Sequence, residues 1–171
     1  VDSGDTVTLT GPTVPSWSTF TASTGVLAGT PDNDDVGDHS VVITASDGTA
    51  SVTDSFTIAV ANTNDAPTIT STAVLTATED SAYTYTVTAS DADSDTLTMT
   101  GTTVPSWATF TASTGVLAGT PDNDDVGDHS VVITASDGTA SVTDSFTIAV
   151  ANTNDAPTIT STAVLTATED S

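Results

Sequence analysis

The sequence predicts an all-β fold, a seven-stranded Greek-key β-sandwich that is repeated in tandem and joined end to end. Three observations support this prediction. Residues 19–81 recur unchanged 90 residues later, as residues 109–171, and 90 residues is about the size of one small domain. Short stretches of alternating apolar and polar residues follow one another between turn residues, which is typical of antiparallel strands. No stretch shows a helical period over a useful length.

The period also predicts the domain boundaries. Residues 1–64 are expected to hold strands C to G of one repeat, residues 65–154 a complete repeat, and residues 155–171 the first strand of a third. We therefore interpret the chain as a slice of a longer array. The two strands missing from residues 1–64 are expected to come from a preceding segment of a longer chain or from a neighbouring molecule.

Each element of the complete repeat follows from local pattern. Strand B shows it best, because Tyr83, Tyr85 and Val87 alternate with threonines. Asp144 has the same parity as the inward residues of strand G, and a buried carboxylate is costly, so a β-bulge is expected at 143–145. The seven predicted strands, A to G, are 68–75 (broken near Thr72), 82–90, 96–100, 107–112, 116–119, 129–135 and 141–151. The predicted core consists of Tyr85, Val87, Leu97, Trp107, Val131, Ile133, Phe146 and Ile148.

Composition excludes several classes of function. The chain has no Lys or Arg and 23 Asp and Glu, a formal net charge of −23. Nucleic acids and anionic membranes are therefore excluded as electrostatic partners. There is no Cys for disulfides, and no apolar run approaches the length of a membrane span, so membrane insertion is not expected. Without protein cations, the carboxylates must face water or a metal ion.

The acidic residues gather where repeats are expected to join. Seven strands running alternately up and down place the two termini of a repeat at opposite ends. Glu79, Asp122 and Asp124 then fall beside the exit joint, 152–155, whereas Asp91, Asp93, Asp95 and Asp137 fall beside the entry joint, 62–65. Like charges this close need a bound metal, and clustered carboxylate and amide oxygens suit Ca²⁺.

Several motifs resemble the cadherin repeat and, more narrowly, the dystroglycan-type cadherin-like and immunoglobulin-like repeats of bacterial surface proteins. The narrower pattern is carried by the V-P-S-W motif at 104–107, T-G-V-L-A-G-T-P at 114–121 and D-V-G at 125–127. Glu79 is similar to the early Glu of the cadherin repeat, and Asp91-x-Asp93 is similar to its D-x-D motif. The segment 152–157 resembles its D-x-N-D-N-x-P linker. It is one residue shorter, with Asn152 where Asp is usual, and Asp124 stands where the family has Glu.

This resemblance implies Ca²⁺ at each joint between repeats. At the first joint the implied ligands are Asp32, Asp34, Asn62, Asn64, Asp65, Asp91, Asp93 and Asp137. At the second joint they are Glu79, Asp122, Asp124, Asn152, Asn154 and Asp155. For any single Asp, a purely structural role in a turn is the competing interpretation.

The function expected is mechanical: an extracellular stalk or filament repeat of a large bacterial adhesin or surface fibre, stiffened by calcium. Its partners would be neighbouring repeats of the same longer chain or copies of itself in a fibre. The alternative is an adhesion module that binds a glycan or a protein laterally, with Trp107, Tyr83 and Tyr85 as a stacking platform. An enzyme is not expected, because the chain has no Cys or Lys, and the topology brings no Ser, His and Asp together.

Overall fold

The computed structural model describes residues 6–163 and 166–169, and the chain divides into two compact units. Among these residues the only helical segments are the 3₁₀ turns Asn33–Asp35 and Asn123–Asp125, and no helix is long and apolar enough to span a bilayer. The described part of the first unit comprises 6–68, 90–97 and 136–141. That of the second comprises 69–89, 98–135, 142–163 and 166–169.

The first repeat forms two separate sheets. Its strands are β1 (Thr8–Thr13), β2 (Ser18–Thr21), β3 (Val26–Gly29), β4 (Gly37–Ser46) and β5 (Ser51–Val60). One sheet has the order β1-β4-β5, and the other is the hairpin β2-β3. Strands β4 and β5 pair antiparallel without a break along their whole length.

The second repeat forms a fuller set of strands. They are β6 (Thr68–Ile69), β7 (Thr76–Thr78), β8 (Tyr83–Thr86), β9 (Ala89–Ser90), β10 (Thr98–Thr103), β11 (Ala108–Thr111), β12 (Val116–Gly119), β13 (Gly127–Ser136) and β14 (Ser141–Ala151). One sheet has the order β10-β13-β14-β7, another β11-β12-β8, and β6 pairs with β9. The all-β prediction is confirmed. The predicted bounds of strands E and G coincide with those of β12 and β14.

The predicted strand A is divided between two sheets. Its first part, β6, pairs with β9, whereas its second part, β7, pairs in parallel with the end of β14. Between them Thr70 donates its N–H to the Thr88 carbonyl at 2.8 Å, and the Tyr83 hydroxyl donates to the Val74 carbonyl at 2.8 Å. The break expected near Thr72 is therefore the place where the chain crosses from one sheet to the other.

The core of the second repeat is shared by both large sheets. Its buried members are Tyr83, Tyr85, Val87, Leu117, Val131, Ile133, Ile148 and Val150. Tyr85 meets Phe146 edge to face, with ring centroids 5.6 Å apart, and Tyr83 meets Trp107 in the same way. Phe146 and Trp107 pack against this cluster but are only partly buried. The core prediction was wrong for Leu97, which is half-buried and lies outside the cluster.

The same sequence is buried differently in the two repeats. Ile133 and Leu117 are fully buried, whereas their counterparts Ile43 and Leu27 are only half-buried. In the second repeat β8 lies along the edge of β12 and supplies the two core tyrosines. In the described part of the first repeat β3 pairs with β2 alone. The difference in burial therefore comes from the covering strands and not from the sequence of the covered ones.

The β-bulge expected at Asp144 is wrong. Burial alternates without interruption along β14, and Asp144 is half-buried on the face that also carries Phe146 and Ile148. The identical strand β5 pairs residue by residue with β4, and Asp54 stands opposite Ile43 with no shift of register. The carboxylate tolerates this face because its position leaves it partly in water, so no local distortion is needed.

This contrast generates a stability prediction. Ile133→Ala should destabilise the second repeat by about 2–5 kcal/mol, the range for a fully buried aliphatic side chain, because it leaves a cavity. Ile43→Ala, the same change in the same local sequence, should cost clearly less, since that side chain is already partly exposed. Calorimetric unfolding of both variants measures the two effects. Equal losses would contradict the difference in burial.

Candidate metal centre

The first joint, residues 62–65 with the acidic turns that contact them, is organised by the turn 91–95. Asp91 Oδ1 accepts hydrogen bonds from the backbone N–H groups of Asp93 at 2.9 Å and Asp95 at 3.2 Å. Ser94 adopts a positive φ of 64°, which closes the turn. One carboxylate oxygen from each of Asp91, Asp93 and Asp95 then lies within 4.8 Å of the others.

The linker between the repeats is hydrogen-bonded to two acidic turns. Asp65 donates its N–H to Asp93 Oδ2 at 2.6 Å. Asn64 Nδ2 donates to Asp137 Oδ2 at 3.0 Å and to the carbonyl of Asp65 at 2.9 Å. The structure thus brings together five of the eight residues predicted at this joint, namely Asn64, Asp65, Asp91, Asp93 and Asp137.

Asp137 is an anion held by neutral donors. Its Oδ1 accepts from the N–H groups of Ala140 and Thr139, both at 2.6 Å. The Ala140 N–H, then the Asn64 side chain and the Thr139 N–H, lower the pKa of Asp137 below its ordinary value. Its counterpart Asp47 has a pKa lowered by the equivalent backbone N–H groups of Ala50 and Thr49 and by its own, with no side-chain donor among the causes. The Asn64 amide is therefore what distinguishes the carboxylate at the joint.

The 3₁₀ turns approach the joints through a residue that the sequence did not single out. Asp32 caps the first turn by accepting from the Asp34 N–H at 3.1 Å, so its carboxylate is engaged within the turn. Asn33 projects instead, and its Nδ2 donates to Asp65 Oδ2 at 2.7 Å. The second turn repeats this arrangement. There Asp122 is the cap, and Asn123 donates to Asp155, the counterpart of Asp65.

Glu79 is a buried residue that is hydrogen-bonded to the second joint, residues 152–155. Its side chain is 1% exposed, and its Oε1 accepts the Thr153 N–H at 2.6 Å. Its own N–H donates to the Ala151 carbonyl at 3.1 Å. Both the backbone and the side chain of Glu79 are thus bonded to the chain where it enters the linker.

Three carboxylate oxygens at these joints are buried without a hydrogen-bond partner among the described residues. They are Asp91 Oδ2, Asp93 Oδ1 and Glu79 Oε2. Each of these carboxylates accepts a hydrogen bond through its other oxygen. A buried polar atom without a partner is nevertheless costly, and this chain has no Lys or Arg to supply one. The donor set consists of oxygen atoms only, which is the set that Ca²⁺ prefers. The residues present therefore fit a calcium ion.

The remaining predicted ligands are less engaged. Asp34, Asn62, Asp124 and Asn152 are exposed. Asn154 Nδ2 donates to the Asp155 carbonyl at 3.2 Å. Sequence reasoning placed the cluster member Asp95 beside the first joint without naming it as a ligand, and it left out Asn33 and Asn123. The two asparagines could have been found from their position in the Asn-Asp-Asp triplet, which occurs in both repeats directly after the aspartate that caps the turn.

Both histidines make contacts that stabilise the fold. His129 Nε2 lies 2.7 Å from the carbonyl oxygen of Asp125, and its ring meets Trp107 edge to face. His39 repeats both contacts with Asp35 and Trp17. Each histidine thus connects a 3₁₀ turn to the strand that follows it.

The family follows from sequence comparison. A family model described as "Putative Ig domain" (He_PIG) matches residues 1–61 and again residues 66–151, and the chain belongs to this family. With the all-β fold, this defines the chain as an immunoglobulin-like or cadherin-like repeat protein. No curated protein is significantly similar to the chain in sequence.

Two solved structures of cadherin domains support the same fold. Domains EC1-2 of human mucin-like protocadherin are 16% identical, with a TM-score of 0.58 over 90% of this chain and 87% of that one. EC1-2 of human protocadherin-24 is 18% identical, with a TM-score of 0.55 over 90% and 84%. The endo-fucoidan hydrolase MfFcnA4 of glycoside hydrolase family 107 is 32% identical over 88% of this chain, with a TM-score of 0.45. The chain spans 24% of that enzyme.

The Asn64 contact predicts a selective change in titration. Asn64→Ala removes one donor from Asp137, so the pKa of Asp137 should rise towards its ordinary value while that of Asp47 stays unchanged. A lowered carboxyl pKa contributes stability that is present above the ordinary value of 3.8 and is lost as pH falls through the folded pKa. The variant should therefore lose its Asp137 contribution at a higher pH than the parent.

Carboxyl NMR titration of both aspartates checks this prediction. Asp47 serves as the internal control because its turn has the same sequence, Ser-Asp-Gly-Thr. If both groups shift, or neither does, the bond from Asn64 is not what sets them apart.

Proposed function

We propose that this chain is part of an extracellular stalk or filament of a large bacterial adhesin or surface fibre, in which Ca²⁺ at the joints stiffens successive repeats. The immunoglobulin-like and cadherin-like repeat fold supports a structural or adhesive role. Its partners are adjoining repeats and copies of itself, and it has no catalytic role. Near-identical repeats suit a spacer, since a spacer needs length and not variety.

One observation carries the calcium part of the proposal. One carboxylate oxygen each of Glu79, Asp91 and Asp93 is buried without a hydrogen-bond partner in the part of the chain that the structure describes, and the sequence has no Lys or Arg. A divalent cation would neutralise these groups and the acidic residues around them, and it would supply the ligation that their oxygens lack. Removing it would leave clustered like charges that repel one another across a short linker.

The proposal predicts calcium binding at the first joint. Calcium should bind with a dissociation constant of about 10⁻⁴–10⁻³ M, the range of extracellular modules. Asp137→Asn should weaken this binding about tenfold or more, because it removes a charge beside Asn64. The matched substitution Asp47→Asn, in an identical turn, should leave it unchanged.

Isothermal titration calorimetry measures both constants. Heats that are the same with and without the Asp137 charge would contradict a site at this joint. The absence of any calcium-dependent heat in the parent chain would contradict the proposal as a whole.

The proposal also predicts that calcium controls the stiffness of the joint. Chelation should leave the core around Tyr85, Ile133 and Ile148 intact, because these residues lie away from the joints, and should lower the melting temperature modestly by mass action. The larger effect should be on shape, since the joint becomes a flexible linker of a few residues. Asp65→Ala should reproduce the effect of chelation at the first joint alone.

Small-angle scattering with and without chelator tests this. The maximum dimension of the particle should be smaller without calcium, with a broader distance distribution, and unchanged circular dichroism serves as the control for folding. A maximum dimension that does not respond to calcium would show that something else makes the joint rigid.

A further inference from the structure

Strand β7, near the start of the second repeat, pairs in parallel with β14, the last strand of that repeat. Residues 76–78 stand opposite residues 149–151 in this pairing. Just before them, Ala149 donates its N–H to the Leu75 carbonyl at 2.9 Å. The contact is short, but it joins the beginning of the repeat directly to its end.

Glu79 lengthens this contact by two further hydrogen bonds. Its N–H donates to the Ala151 carbonyl at 3.1 Å, and its Oε1 accepts the Thr153 N–H at 2.6 Å. The residue is 1% exposed, so water has little access to compete for the bond that its side chain makes. The bonded segments therefore run from 75 to 79 and from 149 to 153, and we call them together the parallel patch.

Tension along the chain would load the parallel patch in shear. The chain enters β7 at its N-terminal end and leaves β14 at its C-terminal end, and the two strands point the same way. A pull from both sides of the repeat therefore draws the strands past each other along their length. The interstrand hydrogen bonds then share the load and must break together, whereas strands separated from one end lose their bonds one at a time.

The place of the parallel patch in the sequence shields the rest of the repeat from tension. Residues 80–148 lie between its two segments, and they contain strands β8 to β13 and every buried member of the core cluster except Val150. While the patch holds, tension passes from one segment directly to the other. Little of it then enters the strands in between, so the core stays packed until the patch breaks.

We infer that the parallel patch is the load-bearing element of the repeat and that Glu79 is the residue that ties the linker into it. This role rests on the proposed function, since a stalk is the setting in which a repeat is stretched. The hydrogen bonds of the patch are made by the chain itself, so they resist tension with or without calcium. Resistance to force is thereby separated from thermodynamic stability, which the core provides.

Single-molecule unfolding in optical tweezers tests the direction of loading. The chain has no Cys, so handles can be attached to introduced ones, and Thr72, Ser81 and Asn154 are all exposed. Handles on Thr72→Cys and Asn154→Cys shear the patch. Handles on Ser81→Cys and Asn154→Cys pull at the same end of both strands and peel them apart, although nearly the same residues unfold. The shearing pair should need roughly twice the unfolding force of the peeling pair or more.

Two substitutions test Glu79 with the shearing handles in the presence of chelator. Glu79→Leu keeps a buried side chain of similar size but removes the acceptor for Thr153. It should raise the unfolding rate at a fixed force about tenfold, the scale of one hydrogen bond to a charged group. Glu79→Gln keeps an acceptor oxygen and removes only the charge, so the rate should change by no more than about threefold.

A core substitution provides the matched control. Ile133→Ala should lower the melting temperature of the repeat, because Ile133 is fully buried. It should nevertheless leave the unfolding rate under shear nearly unchanged, since contacts that are still intact at the barrier have little effect on that rate. Glu79→Leu should show the reverse, a small change in melting temperature and a large change in the rate under force.

Each result decides the question. Equal forces for the shearing and peeling handles, a Glu79→Leu rate equal to that of the parent, or an Ile133→Ala rate raised as much as that of Glu79→Leu would overturn the inference. If the forces differ as expected but calorimetry detects no calcium binding, the load-bearing patch stands and the calcium part of the proposed function falls. If calcium binds but the two pairs of handles give equal forces, the reverse holds.

Discussion

The structure depends on one constraint: 23 carboxylates must be accommodated without a single Lys or Arg. Neutral donors satisfy many of them. Asp32 and Asp122 cap 3₁₀ turns, Asp91 accepts two N–H groups of its own turn, and Asp137 accepts two N–H groups and an Asn amide. The carboxylate oxygens that neutral donors do not satisfy lie at the joints. There, one oxygen each of Asp91, Asp93 and Glu79 is buried without a partner among residues 6–163 and 166–169.

This distribution separates two roles within one repeat. The core between the sheets is apolar and aromatic, and its edge-to-face ring pairs fix it independently of charge. The joints are polar and hold the chain through short hydrogen bonds such as Asp65 to Asp93 and Thr153 to Glu79. Under the proposed function, a cation at a joint would act on the linker and only weakly on the core. Such a division would suit a mechanical repeat, because stiffness could change while the fold persists.

Much of the fold was predictable because it depends on local alternation. Tyr83, Tyr85 and Val87 share a buried face as their spacing predicts, and β12 and β14 have the predicted bounds. The crossing of strand A between sheets was only partly predictable, since a break near Thr72 does not show which sheet follows. Asn33 was missed because its role depends on Asp65, which lies 32 residues away along the chain. The β-bulge predicted at Asp144 was wrong because alternation along a strand shows which face of the sheet a residue is on. It does not show how exposed that position is.

The sequence by itself determined the strands, the turns, the 90-residue period and the excess of uncompensated negative charge. These follow from composition and from contacts between residues close in the chain. Only the tertiary structure decided which residues form the core and which described carboxylate oxygens are buried without a hydrogen-bond partner. Ile43 and Ile133 have identical neighbours in sequence, yet only Ile133 is fully buried, because β8 and its tyrosines complete its repeat. Burial depends on what packs against a strand from elsewhere in the chain, and no local pattern contains that information.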